Sequence, residues 1–139
     1  MKTNWTETIW TTNNCEKLIS KDIDNTVYEF LKTEFAEIGC EVKAINGTDD
    51  HVHCLFNINA KRSLDEIIKM VKGATSQKIN QEGFIKTKFA WEKGYEAEGI
   101  GKSELKEKIQ EILNQKSIHA DQSITVADEI YKMHESENE

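Results

Sequence analysis

The chain has 139 residues, 37% of them hydrophobic and 31% charged, which suits one soluble globular domain with room for a sizeable core. No run approaches the roughly 18 apolar residues of a bilayer span, and "MKTNWTETIW" lacks the basic-then-apolar order of a signal peptide, so a cytoplasmic protein with no membrane partner is expected. A formal net charge of −7 argues against strong non-specific DNA binding, since neutralised phosphates supply most of that affinity.

"NWTETIWTT" (residues 4–12) alternates and is rich in Thr, Trp and Ile, which predicts a first strand. Trp5, Glu7 and Ile9 fall on one face of it, Thr6, Thr8 and Trp10 on the other. "KDIDNTVYEFLKTEFAEIG" sets Ile23, Val27, Phe30, Leu31, Phe35 and Ile38 at helical spacing, with Gly39 as a stop. "CEVKAIN" and "HVHCLFNIN" are strand-like runs joined by the turn signal "NGTDD", an antiparallel hairpin. "SLDE" is a capping box from Ser63 to Glu66, opening a helix to about residue 80 with Leu64, Ile67, Ile68, Val71 and Ile79 as its stripe. Gly73 weakens that helix pattern.

A last strand is expected near 95–101. Ser103 then caps a third helix with Leu105, Ile109, Ile112 and Leu113 facing inward. A weakly helical segment at 123–135 and an acidic tail, "HESENE", follow. The order predicts one α+β domain over 1–139 of ferredoxin-like (split βαβ) type. Its parts are a four-stranded antiparallel sheet with helices on one face and a C-terminal helix. Cys15, Cys40 and Cys54 are widely spaced and form no CxxC, so reduced thiols are expected, with Cys40 and Cys54 small and buried.

Inside "DDHVHCLF", His51 and His53 are two apart on a strand and share a sheet face, while Val52 and Cys54 point the other way. Two imidazoles so placed can hold one divalent cation. They can equally be two polar, partly exposed sheet residues, since HxH is a short motif. Candidates for a third ligand stand at the end of the third helix, Gln115 and His119; Glu111 and Gln115 are four apart and share a helix face. Charge is uneven. Residues 1–60 carry five Lys and ten Asp/Glu, 61–93 eight Lys/Arg and four Asp/Glu, and 94–139 five Lys and eleven Asp/Glu. Only the middle third could face phosphates, through Lys61, Arg62, Lys69 and Lys72, although a solvated helix face reads the same way. Trp5, Trp10 and Trp91 could stack on bases or fill a core.

Five blocks in order carry a resemblance: "IWTTNNCEKLI", "INGTDDHVHCLF", "SLDEIIKMVKGATSQKIN", "KFAWEKGY" and "EILNQKSIH". Together they resemble the single-tyrosine HUH transposases of the IS-two-hundred class of insertion sequences, over nearly the whole chain. That resemblance implies a protein of DNA transposition acting on single-stranded or hairpin DNA as a homodimer. It implies Mg²⁺ or Mn²⁺ held by His51, His53 and Gln115 and polarising the scissile phosphate. It also implies attack by a helix tyrosine, leaving a covalent 5′-phosphotyrosine.

This chain departs from the pattern at the nucleophile. The position four before Gln115, where the family has tyrosine, is Glu111. A carboxylate repels the phosphate it must approach, and an acyl phosphate would hydrolyse rather than store the DNA end. Glu111 could instead be an additional metal ligand. Tyr28, Tyr95 and Tyr131 are the other tyrosines. Glu96 and Glu98 add negative charge where relatives are neutral, which disfavours DNA association. The expectation is a transposase-family protein that keeps the metal site and lacks strand cleavage. A non-catalytic DNA-binding or regulatory module, and a dimeric interaction protein derived from a transposase, are the alternatives.

Overall fold

The computed structural model describes residues 5–59, 61–116, 130 and 133. Four strands, β1 (Trp5–Thr11), β2 (Val42–Gly47), β3 (His51–Asn57) and β4 (Glu96–Ile100), and three helices, α1 (Asp24–Glu37), α2 (Leu64–Glu82) and α3 (Leu105–Leu113), alternate as β1-α1-β2-β3-α2-β4-α3. The strands form one antiparallel sheet in the order β2-β3-β1-β4. This is the split βαβ arrangement expected from the element order: α1 and α2 each cross over one intervening strand.

The longest strands, β1 and β3, take the centre, where both faces are covered, and six of seven residues in each are buried. Period-two alternation then divides their side chains. Trp10, Val52, Cys54 and Phe56, with Ile45 of β2, meet Val27, Leu31 and Phe35 of α1 and Ile67, Ile68, Val71 and Ile79 of α2 in the main core. Phe35 and Phe56 rings lie 4.4 Å apart at its centre. On the opposite face, Trp5, Leu55, Ala44 and Ile100 receive Ile112 of α3, flanked by Leu105 and Ile109. The third helix thus covers the sheet face that α1 and α2 leave open.

Local signals explain the element ends. The Ser63 hydroxyl accepts a hydrogen bond from Glu66 N (3.2 Å), and Gly83 stops α2 in the left-handed region at φ 69°. Gly47 ends β2 because the chain passes so close that a Cβ there would stand 2.1 Å from the His51 carbonyl oxygen. Two expectations fail around α3. Ser103 lies in a short 3-10 turn, Lys102–Glu104, and α3 starts at Leu105 behind Glu104, with no side-chain cap. The tight turn off β4, closed by Glu104 N to Gly101 O (2.9 Å), takes up the residues a cap would need. Leu113 does not face inward but is 51% exposed, because it stands on the rim of the helix beside Ile112, the one residue of α3 that is buried. The expected segment at 123–135 lies, but for residues 130 and 133, outside the described residues.

Candidate metal and nucleic-acid site

The face under α3 is not uniformly apolar. Register pairs Ile9 with His53, Thr11 with His51, and Glu7 with both Leu55 and Glu98, so these side chains share that face. His51 and His53 are buried, as are Glu7 and Glu98. The imidazoles stand with ring centroids 5.2 Å apart. Their reading as partly exposed polar residues therefore gives way to two buried histidines on one face.

Each imidazole is oriented through the same atom. His53 Nδ1 lies 3.1 Å from Glu7 Oε2, and His51 Nδ1 lies 2.7 Å from Asp50 Oδ1. The Thr48 hydroxyl reinforces the second contact, 2.9 Å from His51 Nδ1 and 3.0 Å from Asp50 Oδ1. A neutral imidazole whose Nδ1–H donates to a carboxylate carries its lone pair on Nε2. Metal-binding histidines are usually oriented in this way, by a carboxylate on the nitrogen that does not bind.

The third expected ligand follows α3. Leu113 O accepts from Asn46 Nδ2 (2.9 Å), and Lys116 Nζ donates to Asn46 Oδ1 (2.9 Å) and Gly47 O (3.1 Å). Asn46 is the register partner of His53. Gln115 thus belongs to a segment fastened on both sides to the end of the hairpin that carries the histidines. Its side chain is buried; Nε2 donates to Glu111 O (3.3 Å), and Oε1 has no hydrogen-bond partner among the described residues. A buried carbonyl oxygen without a donor is costly unless something electropositive meets it. No group of three or more His, Cys, Asp or Glu side chains able to hold a metal occurs among the described residues. Among the described residues a third donor to the pair would be of another kind, and an amide oxygen is one.

Lys108 was not singled out by sequence reasoning, yet it organises the charge here. Its ammonium lies 3.4 Å from Glu111, 3.8 Å from Glu98 and 3.9 Å from Glu7. Burial works against the charged form, but Glu7, Glu111 and Glu98 outweigh it and hold the ammonium above the usual lysine range. Glu7 is the second residue missed, and it bonds both His53 and Lys108. Its signal was present: a carboxylate between Trp5 and Ile9 on a strand face that proves buried.

The remaining candidates divide. Glu111 is largely exposed and paired with Lys108, and only its backbone oxygen contacts Gln115. Tyr28 is buried; its hydroxyl accepts from Lys116 Nζ (2.9 Å), and burial and Asp24 push its pKa up. Tyr95 bonds Asp65, and burial together with that contact raises its pKa to about 12. Neither phenol is activated as a nucleophile. His119 and Tyr131 lie outside the described residues. Lys61 and Arg62 follow the far end of β3, roughly 20 Å of strand from His51 at about 3.3 Å per residue. Lys69 and Lys72 are on α2, over the other sheet face, and Lys72 Nζ donates to Glu92 O and Gly94 O (2.7 Å each). The structure thus separates the expected basic residues from the histidine face. Trp5 and Trp10 are core residues.

A family model described as "Transposase IS200 like" matches residues 2–124. No curated protein sequence matches. Among solved structures, the chain is similar to a protein of Deinococcus radiodurans R1 provisionally described as a transposase. The TM-score is 0.68 at 18% identity, over 83% of this chain and 92% of that one. It is also similar to a REP-associated tyrosine transposase bound to a REP hairpin, with TM-score 0.62 at 12% identity, over 84% of this chain and 68% of that one.

Proposed function

The chain belongs to the IS200-like transposase family, and from that premise we propose a divalent-cation site at His51, His53 and Gln115 that serves single-stranded or hairpin DNA. The observation that carries it is a buried Gln115 oxygen with no donor among the described residues, on a segment bonded to the hairpin end that bears two buried imidazoles turned by Glu7 and Asp50. Two nitrogens and an amide oxygen suit Mn²⁺ better than Mg²⁺, which favours oxygen ligands. A cation bound there supplies polarisation of a phosphate oxygen. The likeness to a hairpin-bound transposase supports DNA as the partner. The homodimer rests on the family resemblance and is read by light scattering.

What this chain's own residues do at the nucleophile position points to lost cleavage. Glu111 has no hydroxyl, and Lys108 holds its carboxylate in an ion pair. Its approach to a phosphate is opposed by charge, and Glu7 and Glu98 lie around the same ammonium. The reading is a transposase-family protein that binds metal and DNA and does not form a covalent DNA adduct.

Incubation of a labelled single-stranded hairpin oligonucleotide with Mn²⁺ tests it, comparing the chain with Glu111→Tyr. The expected result is binding by both and a denaturation-resistant adduct with the variant alone. An adduct formed by the unsubstituted chain overturns the loss of cleavage. Absence of any oligonucleotide shift overturns the DNA reading. Mn²⁺ affinity unchanged in His51→Ala overturns the metal site.

A further inference from the structure

On the other side of the sheet, a groove of about 500 Å³ runs between α2 and residues 88–95. Lys69, Lys88 and Lys93 on its rim are exposed and make no ion pair among the described residues. The acids beside them are engaged within the fold: Asp65 accepts from Tyr95, and Glu92 accepts from Asn14 N (3.1 Å) and Lys93 N (3.3 Å). Lys69, Lys72, Lys88 and Lys93 outnumber Asp65 and Glu92 in its lining, so the groove presents a net positive rim in an otherwise acidic protein.

Its wall is rigid and aromatic. Trp91 Nε1 donates to Thr75 Oγ1 (3.0 Å), and the ring meets Trp10 and Phe89 edge-on at 5.9 and 4.7 Å. Half-buried, it keeps part of the indole on the groove. Lys72 braces the same wall through the carbonyls of Glu92 and Gly94. The floor includes Gly73. Glycine inside a helix is unfavourable, and here a Cβ would meet nothing within 4 Å, so no packing among the described residues requires its absence. A ligand lying close against the helix backbone would require it.

The groove also joins the histidine site at one strand end. Trp91 bridges Thr12, Glu92 N donates to Thr11 O, and Asn13 N donates to Ala90 O (2.9 Å each). Thr11 is the register partner of His51. We propose that this groove is a second subsite for single-stranded DNA, holding nucleotides that continue around the sheet end from the strand at the histidine pair. Phosphates meet Lys69, Lys88 and Lys93, and a base lies over Gly73 against Trp91. The inference rests on the DNA reading above and adds where the flanking strand goes.

Fluorescence anisotropy with labelled oligo(dT) and with a duplex of equal length, read beside thermal melting, tests it. Gly73→Leu is expected to leave the melting temperature unchanged or higher while weakening oligo(dT) about tenfold, as loss of one stacked base would. Lys88→Gln with Lys93→Gln is expected to flatten the salt dependence of log K by about 1.4, at about 0.7 per phosphate contact on a single strand. If oligo(dT) binds the parent and both variants alike, the groove is overturned and the DNA reading stands. If the parent binds no oligonucleotide, both fall. Equal sensitivity of duplex binding to these substitutions overturns the single-strand assignment.

Discussion

The two faces of the sheet are built from the same four strands and differ in what they bury. Under α1 and α2 lie Trp10, Val52, Cys54 and Phe56, with apolar partners throughout. Under α3 the neighbouring residues of β1 and β3 supply Glu7, His51 and His53, with only Trp5 and Leu55 adding to a small apolar cluster. Burying apolar area stabilises a fold, whereas burying charge costs stability unless each group is paired. The first face therefore accounts for folding. Among the described residues the second carries four buried ionisable side chains, Glu7, Glu98, His51 and His53, each held in place by a neighbour, a pattern that stability alone does not call for and that is common at functional sites. Cys54 shows how different the settings are: burial and the charge of Glu7 push its thiol well above the usual range, so it packs as a small apolar side chain.

Substitutions can break this contrast or sharpen it. Phe56→Ala, emptying the fully buried site against Phe35, is expected to cost about 4 kcal/mol in urea unfolding. A cost below about 1 kcal/mol would mean that the apolar face does not dominate stability. Lys108→Met should cost about 2 kcal/mol, because Glu7 and Glu98 lose their cation in a partly buried setting. Adding Glu7→Gln to it should recover part of that loss, and a double-mutant cycle measures the coupling. Gln115→Leu should change stability by less than about 1 kcal/mol, in either direction, since it removes a buried oxygen that has no donor among the described residues. Calorimetric titration of the same variant should show Mn²⁺ affinity down at least about tenfold. A stability loss without a change in Mn²⁺ affinity would make Gln115 a packing residue.

The smallest effect belongs to the α2 side. Tyr95, raised to about 12, contributes stability that is complete below its ordinary value near 10 and is lost as pH rises through the folded value. Tyr95→Phe should therefore flatten the fall in urea midpoint between about pH 10 and 12. An unchanged slope would show that the Asp65 contact adds nothing to stability.

Much of this contrast was legible in the residues. Alternation in "WTETIW" and "HVHCLF" told which side chains share a face, and the structure agrees at every position from Trp5 to Trp10 and from His51 to Cys54. Ser63 with Glu66 marked the start of α2 because capping is settled within one helical turn. Leu113 and Ser103 misled for a related reason. A nine-residue helix resting on the sheet through Ile112 leaves the side chain at its rim exposed, and a tight turn displaces its start. Glu7 and Lys108 were silent because their meaning depends on each other, about 100 residues apart in the chain.

Sequence by itself settled the order of elements, the hairpin and the sidedness of each strand, since period-two and 3.6-residue repeats follow from backbone geometry within a few residues. Only the tertiary structure decided that α3 crosses to the face left bare by α1 and α2. That crossing seats Lys108 among Glu7, Glu98 and Glu111 and buries Gln115 at the hairpin end. A local repeat states that a side chain has a face; long-range pairing and the competition to cover apolar area choose what that face meets.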